Sequence, residues 1–456
     1  MNWRRLALFQ LHRCIGSDLG RAYADFIRFS LESPETIHRV HTQRLTAILQ
    51  HARTSVPFYQ ERAAADTLTD FPILTKSDIR TNFLNLMHPS LRDEYEGRKS
   101  KSRYSWVEVK TGGSTGKPVS VIHDRAFRDQ GRASRLFSQY LCGFPAGEPY
   151  FMLWGSMKDI NSMKDSKEKQ ALNFLLQVHP LNAFQLDDAH CRTYLNQINT
   201  SPIRHMMAYV DAAAHLARFA QRERISIRPL KSIMACAGTV TDDTRTLLKE
   251  VFQCTVHNKY GSRECTDMMC ETKEGNLMAF WNHIHMEIVN DQGKPVSAGE
   301  TGRILITLLG NNSFPIIRYE IGDVGAMNDL SSHFLPSMKS LEGRISDFIS
   351  ATDGTYVSPV YIRHLIGVVH NPGYIDRFQL AQESPHNYSL KIEIQNSVSD
   401  QETEPLSAVL QKDLQRVLGS NAEIAFQRVE KIPESASGKF RYIINRQLEQ
   451  KATASE

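Results

Sequence analysis

The chain has 456 residues, of which 41% are hydrophobic and 23% are charged. This balance supports a sizeable buried core and excludes a disordered, collagenous or coiled-coil protein, and the length predicts about three domains. Lys and Arg total 54 against 50 Asp and Glu, an excess too small and too scattered to favour nucleic-acid or membrane partners.

The amino terminus and the cysteines indicate the compartment. The apolar stretch before His12 is shorter than the core of a secretory signal, and no apolar run approaches the roughly 18 residues of a membrane span. Seven scattered cysteines favour free thiols in a reducing environment over a disulfide framework. We therefore expect a cytoplasmic protein.

Short apolar runs alternate with helical patterns between residues 118 and 260. The predicted strands are Pro118–Ile122, Tyr150–Trp154, His205–Val210, Ser232–Ala237 and Thr255–Tyr260. The predicted helices include Arg125–Leu141, Asp211–Arg224 and Asp242–Phe252, with Asp211 and Asp242 as N-caps. This alternation predicts an α/β fold with helical crossovers.

The pattern changes after residue 286. Residues 286–290 and 303–309 read as two strands of an antiparallel hairpin, with a turn at Asp291–Gly293. The last 110 or so residues predict a small α+β module. It contains an alternating strand at 389–395 and a helix that Gly419 would end. The join is predicted near residues 343–353.

A glycine-rich segment at residues 111–118, TGGSTGKP, is the strongest local signal. Its glycines expose backbone amides and its hydroxyls and lysine add donors, which is the chemistry that binds polyphosphate. A Walker A loop is disfavoured, because Thr111 replaces its first glycine and Pro118 follows Lys117 in place of Ser or Thr. The competing interpretation is a flexible surface turn.

Four further segments combine glycine, charge and aromatic residues. They are KYGSRE at 259–264, RYEIGDVG at 318–325, LEGRISDFI at 341–349 and SASGKFR at 435–441. Tyr260 is suited to stacking on a base, Glu264 to holding Mg²⁺, and Asp323 to accepting hydrogen bonds from a ribose diol. For each segment taken alone, an ordinary turn, hairpin corner or surface loop is the favoured interpretation.

Taken in order, the five segments resemble the core motifs of the adenylate-forming superfamily of acyl-CoA synthetases, peptide-synthetase adenylation domains and luciferases. Within it, the chain is most similar to the phenylacetate–CoA ligase branch and its capsular-polysaccharide-biosynthesis relatives. That similarity is carried by residues 49–64, 71–80, 299–309 and 314–323. The resemblance therefore covers nearly the whole chain.

The resemblance implies an α/β fold with two domains. Residues 1–343 would form an adenylation domain of α/β layers with a smaller β subdomain, and residues 344–456 a mobile α+β lid. Such a ligase joins a small-molecule carboxylic acid to AMP, releases pyrophosphate, and passes the acyl group to a thiol, usually that of coenzyme A. ATP and Mg²⁺ are the implied cofactors.

The resemblance also assigns roles residue by residue. The phosphates would be held by Ser114, Thr115, Gly116 and Lys117. The adenine would be framed by Gly238, Thr239, Tyr260 and Gly261, with Mg²⁺ at Glu264 and the ribose at Asp323 and Arg344. Lys439 would be the catalytic residue, reaching the carboxylate and the α-phosphate, and Ser346 the hinge. The acid pocket would be lined by Trp154, Tyr209, Ala235, Cys236 and Ala237, whose small members leave room for an aromatic ring.

Departures from the family pattern leave the acceptor open. Ser346 replaces an Asp of the hinge motif, and Arg363 stands in the lid where Glu is common. The acyl-adenylate could therefore pass to coenzyme A, to an amine, or to a carrier-protein thiol. A non-catalytic nucleotide-binding relative is disfavoured because Lys439, Glu264, Asp323 and Arg344 are all retained. The oligomeric state is left open, with a homodimer as one option.

A zinc site is not expected. Cys254, His257, Cys265 and Cys270 carry suitable donors, but their spacing lacks the paired C-x-x-C knuckles of structural zinc sites. His283 and His285 are predicted to be strand residues on one face rather than ligands.

Overall fold

The structure is a computed structural model. It describes residues 2–63, 67–97, 106–110, 119–154, 167–183, 186–238, 240–329, 336–344, 349–353, 356–357, 362, 365–366, 370, 375–394, 398, 400–433 and 441–447. Contacts divide the chain into two compact units, with the main boundary between Ser340 and Leu341. The assignment of these units as an adenylation domain and a mobile lid stays a prediction.

The larger unit begins with helices. These are α1 (Trp3–Cys14), α2 (Leu19–Phe29), α3 (Pro34–Ser55), α4 (Pro57–Gln60), a 3₁₀ turn (Leu68–Asp70), α5 (Lys76–Thr81) and α6 (Pro89–Glu96). Their starts follow local capping chemistry. The Ser33 side chain accepts a hydrogen bond from the Thr36 amide, and Thr75 and Asp78 form a reciprocal capping box.

A separate two-stranded hairpin flanks the glycine-rich segment. β1 (Trp106–Lys110) and β2 (Ser120–Asp124) pair antiparallel, with Lys110 opposite Ser120. The sequence predicts a strand at Pro118–Ile122 as the first of an alternating α/β series, and this prediction is wrong in two respects. The strand lies two residues later, and its partner is β1 rather than the large sheet, because the nearest complementary strand is the one directly before the loop.

The main sheet has eleven strands. Its parallel half contains β3 (Tyr150–Trp154), β4 (Val178–Asn182), β5 (His205–Tyr209), β6 (Ser232–Cys236) and β7 (Thr255–Ser262). The other half contains β8 (Thr266–Glu271), β9 (Leu277–Ala279), β10 (Ile284–Val289), β11 (Gly302–Leu308), β12 (Tyr319–Met327) and β13 (Ser337–Arg344). The order across the sheet is β10-β11-β12-β13-β9-β8-β7-β6-β5-β3-β4. The predicted α/β architecture is confirmed.

The parallel half is buried on both faces. Met206 and Ile233 point into one hydrophobic cluster, while Met207 and Met234, the next residues along the strands, point into another. Every residue of β6 is buried. Helices on both faces of a parallel sheet produce this burial and explain the nearly continuous apolar runs of the strands. β4 forms the edge of the sheet and carries the exposed Pro180.

Helices connect these parallel strands. These connections contain α8 (Lys167–Leu176), α9 (Asp188–Thr200), α10 (Val210–Arg222) and α11 (Asp242–Phe252), whereas α7 (Arg125–Leu141) leads from β2 into β3. α7 and α11 have the predicted bounds, but both predicted N-caps were wrong. Thr241 caps α11 by accepting from the Thr244 amide, and α10 begins after Tyr209 without a side-chain cap. Asp211 and Asp242 instead lie in the first turn, where a carboxylate interacts favourably with the helix dipole.

The predicted hairpin after residue 286 is confirmed. β10 pairs antiparallel with β11, and the turn at Asn290–Lys294 is closed by a hydrogen bond from the Asn290 amide to the Lys294 carbonyl. Gly293 has φ +73° there, a conformation that glycine adopts without strain.

The smaller unit has its own sheet and core. Its elements are β14 (Ile349–Ser350), β15 (Tyr356–Val357), β16 (Ile375–Gln382), β17 (Asn387–Ile394), α12 (Asp400–Leu418), β18 (Glu423–Val429) and β19 (Ile443–Asn445). The four-stranded order is β18-β17-β16-β19, and Leu410 and Leu414 of α12 are fully buried in the cluster beneath it. The predicted strand, helix and glycine stop are confirmed, and Gly419 has φ +108°.

All seven cysteines are free, as predicted. In the described part of the chain, no helix is both long enough and apolar enough to cross a membrane.

Candidate active site

The predicted acid-pocket residues lie together at the carboxyl-terminal ends of the parallel strands β3, β5 and β6. Tyr209 lies opposite Cys236 in the β5–β6 register, and the Trp154 and Tyr209 rings approach to 4.5 Å between centroids at a tilt of 49°. Ala235 and Cys236 are buried, whereas Ala237 is exposed. Ligands of α/β proteins bind at this edge.

The turn after β6 has an unusual backbone. Ala237 has φ +59°, a left-handed conformation that costs a non-glycine residue energy and is typical of functional sites. A Cβ atom on the next residue, Gly238, would lie 3.2 Å from Cβ of Val210. Both residues are exposed at the edge of the sheet, so this predicted adenine-framing segment presents backbone to solvent.

Tyr260 and Gly261 lie near the end of β7, where the chain changes from parallel to antiparallel pairing. The β7–β8 register shifts between them. A Cβ on Gly261 would lie 2.5 Å from the Thr266 carbonyl oxygen, so only glycine fits this position. The Tyr260 side chain is half-buried.

Beneath this bulge lies a buried ion pair. Lys259 Nζ donates to Asp267 Oδ1 at 2.7 Å, and both side chains are only 6% exposed. Arg135 Nε lies 4.0 Å from the other Asp267 oxygen. The pair ties β7 to β8 on either side of the turn that carries Glu264.

Glu264, the predicted Mg²⁺ ligand, lies on that turn and is buried. Tyr319 Oη donates to its Oε1 at 3.1 Å. The second carboxylate oxygen, Oε2, takes no part in that bond. Mg²⁺ is commonly held by one or two carboxylates together with substrate phosphates, so one hard oxygen presented in this way fits the ion. No group of three or more His, Cys, Asp or Glu residues in the described ranges is arranged to hold a metal.

His123, at the penultimate position of β2, also contacts this turn. Its Nε2 lies 2.8 Å from the Glu264 carbonyl oxygen. Burial lowers the pKa of His123 to about 4, so the imidazole is neutral near pH 7. The sequence analysis assigned no role to His123 or to Tyr319. Tyr319 could have been noticed, since it stands within the YEIGD segment, whereas nothing local marks His123.

The two residues predicted to bind the ribose, Asp323 and Arg344, lie on neighbouring strands of the main sheet. Asp323 lies on β12, four residues after Tyr319, and follows Gly322 with φ +92°. Arg344 is the last residue of β13. Seven of the predicted residues lie outside the described residues: Ser114, Thr115, Gly116, Lys117, Thr239, Ser346 and Lys439.

Two of the residues weighed as a zinc site, His257 and Cys270, make other contacts. His257 contacts the Glu271 carbonyl and the Thr255 hydroxyl, and Cys270 Sγ lies 3.6 Å from Cys142 Sγ. His283 lies in the turn before β10 rather than on it, which corrects its placement as a strand residue. His285 lies on β10 and shares a hydrogen bond with His41 at 3.2 Å.

Comparison with known proteins identifies relatives over nearly the whole chain. Residues 349–446 match the family model described as the CapK C-terminal domain. The chain is 24% identical to "Protein CapK" of Staphylococcus aureus over 90% of its own length and 89% of that protein. It is 21% identical to "Phenylacetate-coenzyme A ligase" of Aromatoleum evansii, over 91% and 95% of the two chains.

Solved structures share the fold. 2-Hydroxyisobutyryl-CoA ligase, in a postadenylation complex with R3-HIB-AMP, superimposes with a TM-score of 0.66 at 17% identity, covering 91% of each chain. The amide bond synthetase McbA from Marinactinospora thermotolerans superimposes with a TM-score of 0.50 at 15% identity, covering 72% of this chain and 65% of McbA. The expected fold is therefore confirmed, and the relatives found are proteins of the kind that the sequence resembles.

Proposed function

We propose that this chain, a relative of CapK and phenylacetate–CoA ligase with the fold of adenylate-forming ligases, is an ATP-dependent carboxylate-adenylating ligase. The observation that carries the proposal is that two motif-bearing segments and the strand that follows the glycine-rich segment meet at Glu264. β2 begins just after the glycine-rich segment, the β7–β8 turn carries YGSRE, and β12 carries YEIGD. Their side chains hydrogen-bond at that one residue.

The first half-reaction forms an acyl-adenylate. A carboxylate oxygen attacks the α-phosphorus of ATP, the bond from that phosphorus to the bridging oxygen breaks, and pyrophosphate leaves. Negative charge spreads over the phosphate oxygens, so positioning and charge stabilisation supply most of the catalysis. Glu264 would hold Mg²⁺, which neutralises phosphate charge when bound. Lys439 would contact the carboxylate and the α-phosphate, and Ser114, Thr115 and Gly116, with Lys117, the outer phosphates.

The nucleoside would lie along the exposed backbone beyond β6 and β7. Gly238 and Thr239 would frame the adenine on one side and Tyr260 and Gly261 on the other. Asp323 and Arg344 would bind the ribose hydroxyls. The close approach at Gly238 and the tight packing at Gly261 explain why a side chain is absent from both positions.

The acid would occupy the carboxyl edge next to Trp154 and Tyr209. Ala235, Cys236 and Ala237 are small, and an aryl acid is compatible with a pocket bounded by two aromatic rings and small side chains.

In the second half-reaction, a nucleophile attacks the acyl carbonyl and AMP leaves. Coenzyme A is the acceptor we propose, with its thiol losing a proton as the thioester forms. Transfer to an amine or a carrier-protein thiol is the alternative, favoured by the departure at Arg363 and by the resemblance of the fold to an amide bond synthetase. Rotation of the smaller unit about Ser346 would exchange the two states.

Pyrophosphate release over a panel of aliphatic and aromatic acids tests the proposal. We expect release that depends on both acid and Mg²⁺, followed by product formation with coenzyme A, an amine or a carrier protein as the added acceptor. Absence of acid-dependent release with every acid would refute adenylation. A cytoplasmic location and the absence of nucleic-acid and membrane partners stay predictions from the sequence.

Variants of two lysines in the smaller unit test the catalytic assignment. Lys439→Ala should lower pyrophosphate release by roughly 10²–10³-fold, because a donor to developing charge is lost, while thioester formation from added acyl-adenylate should change little. Lys412→Ala, on the exposed face of α12, is the matched control and should retain full activity. Full release by Lys439→Ala would remove that residue from the mechanism.

A further inference from the structure

The turn that carries Glu264 tolerates little backbone change. The Cys265 amide donates to Ser262 Oγ at 3.0 Å, and Thr266, which ends the turn, has φ +62°. The Thr266 carbonyl packs against Gly261 so closely that no Cβ fits there. The direction of the Glu264 side chain therefore depends on a backbone conformation that local sequence disfavours and that neighbouring contacts must hold.

His123 supplies one of those contacts from a distant part of the chain. Because a carbonyl oxygen only accepts, His123 Nε2 must carry the hydrogen in its 2.8 Å bond to Glu264. The His123 ring is 4% exposed, and its centroid lies 4.8 Å from that of Phe127 in an edge-on contact. The packing around the imidazole therefore holds it in place, and the imidazole in turn holds the peptide group of Glu264.

Glu264 is held at both ends. His123 holds the peptide carbonyl, and Tyr319 donates to the carboxylate oxygen Oε1. Outer contacts of this kind orient a metal-binding carboxylate, and their loss typically costs about 10- to 100-fold in metal affinity. The His123 bond thus connects the strand after the glycine-rich segment to the proposed Mg²⁺ ligand.

We propose that His123 is a positioning residue for the Mg²⁺ that accompanies the nucleotide. It acts through Glu264, by fixing the peptide group from which the carboxylate projects, and does not contact the ion or the substrate. This inference rests on the proposed function, since it presupposes that Glu264 binds Mg²⁺ together with ATP.

Calorimetric titration of the full-length protein with ATP, without acid, tests this role by a binding measurement. The quantity compared is the ratio of the ATP dissociation constant in excess EDTA to that in Mg²⁺. His123→Leu removes the donor at similar volume and should lower this ratio roughly 10-fold. His123→Gln keeps an N–H donor at a similar reach and should retain most of the ratio.

His205 provides the matched control. It is also buried, its pKa is also lowered by burial to about 4, and its Nδ1 lies 2.8 Å from Ser232 Oγ at the opposite, amino-terminal edge of the parallel strands. His205→Leu should lower stability without changing the ratio. An equal fall in His123→Leu and His205→Leu, or a Gln variant as impaired as the Leu variant, would overturn the positioning role.

The outcomes separate the two proposals. A wild-type protein that binds ATP more tightly with Mg²⁺, with an unchanged ratio in His123→Leu, refutes the role of His123 and leaves the proposed function standing. A wild-type protein without Mg²⁺-dependent ATP binding refutes both. If His123→Leu does not fold, the two single variants Tyr319→Phe and His123→Gln decide. A lowered ratio of ATP dissociation constants in Tyr319→Phe, together with a nearly unchanged ratio in His123→Gln, supports the two hydrogen bonds that hold Glu264. Any other pattern overturns the proposal.

Discussion

The two halves of the eleven-stranded sheet are stabilised in different ways. In the parallel half, residues along β5 and β6 alternate between two apolar clusters. In the other half, buried polar pairs join distant segments. Arg318 Nη2 lies 3.1 Å from Glu287 Oε1, and His41 bonds His285.

This difference shows which interactions hold individual side-chain atoms in defined positions. Apolar burial is nondirectional and tolerates small shifts of a side chain, so it builds a stable sheet without fixing individual atoms. Buried polar pairs have defined geometry and are costly when left incomplete. The half in which such pairs join distant segments also borders Glu264, the residue whose orientation matters most for the proposed chemistry.

Removing one partner of the buried ion pair between Arg318 and Glu287 should have the largest effect on stability. Arg318 donates to Glu287 and also to the Phe71 and Gly293 carbonyls. Arg318→Met should lower the free energy of unfolding of the larger unit by roughly 3–5 kcal/mol, because an uncompensated carboxylate stays buried. Denaturant titration of the single variant and of Arg318→Met with Glu287→Leu checks this. A double variant no more stable than the single would contradict it.

The histidine pair should make the antiparallel half sensitive to acid. The pKa of His41 is lowered to about 3 by burial and by the neighbouring His285, His38 and Arg44, and that of His285 to about 4 by burial and by Arg318. Above about pH 6.5 neither residue affects stability. Below that pH, the unfolded chain binds protons that the folded chain refuses, so stability falls as pH drops toward 4.

For these two groups, the loss between pH 6.5 and 5.5 should be about 2 kcal/mol, or about 1 kcal/mol each, because the unfolded histidine is only half protonated at the upper end of this range. Other buried histidines, among them His123 and His205, bind protons in the same range, so His41→Gln should lower the measured loss of stability by about 1 kcal/mol rather than abolish it. Denaturant midpoints measured at half-unit steps of pH give the slope directly. An unchanged slope in His41→Gln would show that the pair does not govern the acid response.

In the parallel half, Ile233→Val provides the contrasting case. Ile233 is fully buried on β6, and removal of one methyl group should cost roughly 0.5–1.5 kcal/mol. Because no titratable group is involved, the same cost should be found at pH 5.5 and pH 7.5. A cost that changed by more than the error between these pH values would show that the apolar half is coupled to the polar pairs.

The cap of α11 should give the smallest effect. Thr241→Ala should cost about 1 kcal/mol, since the Thr244 amide loses its acceptor. Asp242→Ala should cost less, roughly 0.3–1 kcal/mol, through the helix dipole alone. Thermal unfolding of the two variants ranks them, and the reverse order would restore Asp242 as the cap.

The contrast between the two halves also explains what the sequence could predict. β3, β5 and β6 were located within a residue of their observed bounds, because a short continuous apolar run between two helical patterns is typical of a buried parallel strand. Gly419 and the hairpin turn followed from local backbone chemistry. The N-caps at Asp211 and Asp242 were wrong because neighbouring Thr241 offers an equally suitable acceptor and Tyr209 belongs to the preceding strand.

Contacts at the site were harder to predict, since they join residues far apart in sequence. His123 and Glu264 are separated by 141 positions and Tyr319 and Glu264 by 55, and no local pattern encodes either pair. The pairing of β2 with β1, rather than with the large sheet, was missed for the same reason. Family resemblance located Glu264 itself, but only the fold identifies what surrounds it.

Pro180, on the edge strand β4, bears on whether copies of this protein associate through their sheet edges at high concentration. An open strand edge is a template on which another chain can add and fibres can grow. Proline is tolerated in an edge strand where its nitrogen faces away from the sheet, so at Pro180 an approaching strand would find no N–H to accept from. One residue thus interrupts the ladder at the point where the sheet would otherwise continue into a neighbouring molecule.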